Sequence, residues 1–188
     1  MERLTAMLLA LLLALMPLFA LAEEGDTETL DALMSFVQAS LDRGGYTLYE
    51  RDDESRCYAL GFGSSDSRLG NFYSYLYVYE RGLLIMTCYE ESLPAACVDE
   101  AIRFTNLVNS EMLDSKYYID PHTGEIYYEI FLRLDFLSAE QLDETAQDVL
   151  LDAIYTMALD MNYDVSYFME LIGGETAANV FAMYLADY

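Results

Sequence analysis

The stretch Asn71-Phe-Tyr-Ser-Tyr-Leu-Tyr-Val-Tyr-Glu80 alternates residue by residue, with Phe72, Leu76 and Val78 on one side and Tyr73, Tyr75, Tyr77 and Tyr79 on the other. Side chains on a strand repeat every two residues, so this segment is a β-strand with one apolar face and one tyrosine face. Strand-like runs surround it: Tyr46 to Arg51, Cys57 to Gly63 and Leu83 to Tyr89, joined by DDES, SSDSRLG and RG. Connections this short hold neighbouring strands antiparallel, which makes the four a meander.

Helical spacing begins on either side of the meander. Leu30, Leu33, Met34, Val37 and Leu41 repeat at helical intervals between Asp26 and Asp42, ahead of Gly44-Gly45. Pro94 opens a second helix reaching about Met112, with Val98, Ala101, Ile102, Thr105 and Val108 on one face. Lys116 to Ile119 and Glu125 to Asp135 then form a hairpin across Asp120-Pro-His-Thr-Gly124. Ser138 and Gln141 have capping-box spacing for a helix to Met161, with Leu142, Ala146, Val149, Leu150, Ala153, Met157 and Met161 inward. Asp164 is placed to cap a further short helix ending at Gly173-Gly174, and Ala177 to Leu185 a last one. The order predicts an α+β fold with helices packed on a mainly antiparallel sheet.

Residues 1 to 22 read as a secretory signal. Met1-Glu-Arg3 precedes an apolar run ending in the small-x-small sequence Ala20-Leu21-Ala22, with Pro17 shortly before. Leu4 to Ala22 approaches the roughly 20 residues of a membrane span, so an uncleaved anchor is the competing reading. Residues 23 to 188 form one domain, without a second apolar span, destined for the envelope, periplasm or exterior.

The chain has 33 acidic and 9 basic side chains, a formal charge of −24 and one histidine. A phosphate-chain binder needs clustered Lys and Arg, so nucleic acid is excluded as a partner, as are anionic membrane surfaces. At 54% hydrophobic residues the chain is too apolar for a disordered acidic segment. Cys57, Cys88 and Cys97 are an odd count for an exported protein; three buried thiols are favoured, with Cys88 and Cys97 the pair most able to bridge.

The run Glu100-AIRFTNLVN-Ser110, the run Tyr117-YIDPHTGEIYYEI-Phe131 and the capped helix from Ser138 together resemble the YbjN-like domain family, over about Thr29 to Gly173. The resemblance implies a fold similar to type III secretion chaperones and a non-catalytic interaction domain, often paired as a dimer. It supplies no catalytic residue.

Candidate partner-binding residues are Tyr73, Tyr75, Tyr77 and Tyr79, with Arg103, Asn106 and Asn109 on the second helix. Tyrosine gives a large rigid contact surface with a hydroxyl, as recognition surfaces use. Sheets also favour tyrosine for its own sake, on a solvated face or beneath a helix. Arg103, Asn106 and Asn109 could converge on a ligand, although such Asn residues more often satisfy nearby backbone. An acidic rim around aromatics favours a basic protein or peptide.

No catalytic residue, metal or cofactor is assigned. Phosphate-loop, dinucleotide and α/β-hydrolase signatures are absent from the sequence, and the acids of Asp52-Asp53-Glu54 and Asp120 do not follow a calcium-loop pattern. Two other classes stand beside the interaction domain. One is a secreted hydrolase using a carboxylate pair or Cys97 with His122 as base; the other is an acidic envelope protein with a purely structural role.

Overall fold

The computed structural model describes residues 27–187, apart from 65–67 and 136. The expected signal segment, residues 1–22, lies outside them. The chain runs α1 (Thr27–Gly44), β1 (Leu48–Asp52), β2 (Cys57–Phe62), β3 (Phe72–Tyr79), β4 (Gly82–Tyr89), α2 (Val98–Glu111), β5 (Ser115–Ile119), β6 (Ile126–Arg133), a short 3-10 turn (Ala139–Gln141), α3 (Glu144–Ile172) and α4 (Ala177–Asp187).

The six strands form one sheet in the order β1-β2-β3-β4-β6-β5, antiparallel at every pairing. The predicted α+β architecture, meander and hairpin are all present. The sheet adds one fact the local pattern does not carry, which is that β6 returns beside β4, with Ile85 opposite Ile130.

Among the described residues, helices pack on one face only. Phe72, Leu76 and Val78 of β3, Leu83 and Ile85 of β4, and Ile126 and Tyr128 of β6 share a core with Leu33 and Leu41 of α1, Phe104 of α2 and Phe168 of α3. Phe168 is fully buried among the rings of Tyr89, Phe104 and Tyr117. Removing a phenylalanine of this kind from water contributes about 1.5–3 kcal/mol. Two buried hydroxyls on this face, Ser74 and Thr87, pair across β3 and β4 at 2.7 Å and so satisfy each other.

Four expectations are corrected. The segment from Glu144 to Ile172 is one 29-residue helix, not two. Asp164 caps nothing: it is buried inside α3, where the Tyr117 hydroxyl donates to its Oδ2 at 2.6 Å. That cross-element partner lets the carboxylate sit in a helix interior, where a local reading would place it at a cap. The Ser138–Gln141 box closes only the 3-10 turn, and α3 is started by Asp143, whose carboxylate accepts from the amides of Thr145 and Ala146. Finally, Val149 points to solvent, because the first turns of α3 overhang a gap in the helical layer. All three cysteines are free thiols, with Cys57 and Cys97 buried and Cys88 partly so.

Candidate functional site: the open face of the sheet

The face of the sheet opposite the core carries the odd-numbered residues of β2, β3 and β6 and the even-numbered residues of β4 and β5. Tyr73, Tyr75 and Tyr77 are half-buried and Tyr79 is exposed, whereas Phe72, Ser74, Leu76 and Val78 between them are buried. No helix packs on the tyrosine face among the described residues. Its partial burial comes from neighbouring side chains of the sheet.

Register assembles the surface. Tyr73 lies between Gly61 and Cys88, Tyr75 between Ala59 and Met86, and Tyr77 between Cys57 and Leu84. Small residues on β2 leave the tyrosine rings standing proud, while β4 supplies apolar neighbours. The surface continues through Cys88 to Tyr127 and Tyr118, whose rings lie 6.1 Å apart. At the other margin Tyr49 reaches Tyr73, centroid to centroid 5.2 Å. Tyr75 and Tyr77 stack at 6.4 Å. Seven tyrosines thus span the full width of the sheet; four were legible from the alternation in β3, and Tyr49, Tyr118 and Tyr127 joined only through strand order.

The charges on this surface are unbalanced. Lys116 is paired with Glu129 at 2.6 Å, and Arg133 with Asp135 at 2.8 Å, so both cations on it are neutralised. Glu50, Glu90 and Glu125 face the rings without such compensation: Glu90 raises the pKa of Tyr73, and Glu50 adds to burial in raising that of Tyr75. Burial pushes Tyr77 up to about 12 and Cys88 up to about 11. Tyr127 is raised by burial and by donating its hydroxyl to Glu125 at 2.8 Å. Tyr73, Tyr75, Tyr77, Tyr79 and Tyr127, all shifted upward, therefore stay neutral hydrogen-bond donors at physiological pH.

Both sheet edges are guarded. Asn109 of α2 turns its amide onto β5, accepting from the Tyr117 amide at 2.7 Å and donating to the Tyr117 carbonyl at 2.8 Å. It occupies the bonds that an added strand would make. The β1 edge is five residues long, bulged between Leu48 and Glu50 and acidic, all features that discourage strand addition. The broad unpartnered surface is the face, not an edge.

The three helix candidates lie apart from the tyrosines, on α2 in the other layer. Arg103 pairs with Glu100, and Glu100 also accepts from the amide of Ala177, fastening α4 to α2. Asn106 is exposed, and Asn109 serves β5 as described. Cys97, named with His122 in the hydrolase alternative, sits at the start of α2. Its thiol donates to the Pro94 carbonyl at 3.2 Å, and burial raises its pKa, where an activated thiol nucleophile has its pKa lowered. Asp52 and Asp120 spend their carboxylates on the amides of their own turns, those of Glu54 and Ser55 and those of His122 and Thr123.

No family model and no curated protein matches the sequence. Among solved structures, the fold matches the crystal structure of YbjN from E. coli, described there as a candidate transcription regulator. The TM-score is 0.51 at 13% identity, over 71% of this chain and 92% of that one. What the two share at this distance is the path of the backbone. The chain thus has the fold of YbjN, as its helix and hairpin sequences led one to expect.

Proposed function

We propose that the chain is an exported, non-catalytic interaction domain that docks a basic protein segment on the open tyrosine face of its sheet. The observation that carries this is the uncovered surface from Tyr49 to Tyr118, rich in rings and ringed by carboxylates. Tyrosine and arginine make favourable stacked and cation–π contacts, and acidic rims steer cationic partners to such surfaces. The likeness to YbjN supports an interaction role through fold alone. Export rests on the N-terminal sequence; its test is the intact mass of the chain recovered from the cell envelope or medium, which should correspond to a start at Glu23.

Docking is tested with a fluorescein-labelled peptide alternating arginine and valine, against its glutamate counterpart, by fluorescence anisotropy at rising salt. The arginine peptide should bind, with an affinity that falls as salt rises, and a folded Tyr73/Tyr75/Tyr77→Ser variant should lose it. Equal binding by that variant would remove the face from the reading. Self-association through the same face is the competing occupancy and has the opposite salt dependence, since screening relieves repulsion between two copies of charge −24. Sedimentation at low and high salt separates the two.

A further inference from the structure

A second concave surface lies in the helical layer, away from the tyrosines. β6 leaves the sheet at Arg133 before α3 has begun, and the chain returns through the Ala139–Gln141 turn to the cap at Asp143. Among the described residues, the core side of β6 is therefore only partly covered over its last residues. The resulting cleft, of about 750 Å³, is walled by Ile130, Leu132, Leu134, Leu137, Val149 and Leu150. A space of this size falls in the range of small-ligand sites, roughly 300–1,000 Å³, and its walls are those of an apolar one.

Carboxylates stand among the lining groups. Asp114 follows α2, Glu140 belongs to the 3-10 turn, and Asp143 starts α3. The two amide bonds that Asp143 accepts hold its charge in place. Among the described residues none of the three enters an ion pair. The one basic group in the lining, Arg133, is already bound by Asp135 through both carboxylate oxygens, at 3.0 and 2.8 Å. An anionic amphiphile would meet these three charges without a counterion, whereas a cationic one would complement them.

We propose that this cleft binds a small amphiphilic cation, with its hydrocarbon or aromatic body against Leu132 and Leu137 and its ammonium or guanidinium group among Asp114, Glu140 and Asp143. The cleft meets the far margin of the sheet face at Phe131 and Arg133, but none of Tyr73, Tyr75 and Tyr77 lines it, so either site could fail alone. Val149 stands on the cleft wall with 59% of its surface exposed, which makes it a position for a blocking side chain that burdens no core.

The test is calorimetric titration of the purified chain with octyltrimethylammonium and, separately, with octanoate, both far below micelle formation. Saturable binding of one cation per chain is expected, at least about tenfold tighter than that of octanoate. Val149→Trp should weaken the cation at least about tenfold, and Asp114→Asn or Glu140→Gln about two- to fivefold each, the range of a partly exposed charge contact. Circular dichroism confirms folding, and the two isosteric variants preserve the test should the tryptophan disturb α3. Equal affinity for octanoate, or cation binding unchanged in all three variants, would overturn the proposal. So would loss of cation binding in the folded Tyr73/Tyr75/Tyr77→Ser variant, since that moves the cation to the sheet face.

Discussion

Replacing Asn109 with alanine removes two hydrogen bonds at once and leaves the amide and carbonyl of Tyr117 at the β5 edge without their side-chain partner. A bond of this kind contributes about 0.5–1.5 kcal/mol net, so the pair is worth about 2 kcal/mol in this half-buried position. With a urea dependence of about 2 kcal/mol per molar, the unfolding midpoint should fall by about 1 M. Asn109→Asp refines the test. Its carboxylate still accepts from the Tyr117 amide but presents a second acceptor to the Tyr117 carbonyl. Only the protonated acid can donate there, so the folded state raises the carboxyl pKa above its unfolded value. The stability of this variant is then fully present below about pH 4 and is lost as pH rises through the folded value. Urea titrations of the three proteins at pH 3.5 and 7 measure both effects. If Asn109→Ala shifts stability by less than about 0.5 kcal/mol, or if Asn109→Asp shows no recovery in acid relative to wild type, the edge-plug role is refuted.

Other expectations come from single positions. Gly82 has φ +150°, and a Cβ there would lie 2.0 Å from the Leu132 carbonyl oxygen, so Gly82→Ala should cost about 3 kcal/mol or more by urea unfolding. Burial raises the carboxyl of Asp160, which faces the Tyr128 hydroxyl at 3.2 Å and lies one helical turn from Asp164. Its contribution to stability is therefore present below about pH 4 and lost as pH rises through the raised value, and Asp160→Asn should gain on wild type between pH 3.5 and 7 in the same assay. Burial also pushes the thiols of Cys57 and Cys88 up to about 11. At pH 8 each is about a thousandth thiolate, and alkylation by iodoacetamide, followed by mass spectrometry, should run about a hundredfold slower than for free cysteine.

Period-two alternation exposed β3, β4 and β6, and period 3.6 exposed α1 and α2, because in each the buried face is set by neighbours close in sequence. Features that depend on distant residues were illegible. The polar Asp164 resembles a helix start until Tyr117, 47 residues earlier, supplies its hydrogen bond. Val149 matches the inward spacing of α3, yet the strand that would cover it has already left the sheet. Alternation placed the four β3 tyrosines on a common face but did not say which face the helices cover. That was decided by the opposite side, where Phe72, Leu76 and Val78 join the apolar faces of β4 and β6. The polar role of Asn109 likewise needs the chain to turn at Met112 and bring β5 back along α2.

Lys116 is the only lysine in the chain, and it stands on the open face beside Glu129 with 63% of its side chain exposed. Amine-directed reagents therefore have one internal target, and it lies on the proposed docking surface. An N-hydroxysuccinimide dye would label that surface and the α-amino terminus, with no engineered cysteine needed. Protection of Lys116 from that dye by a bound partner would report directly what rests on the sheet, while a partner seated elsewhere would leave this amine open to labelling.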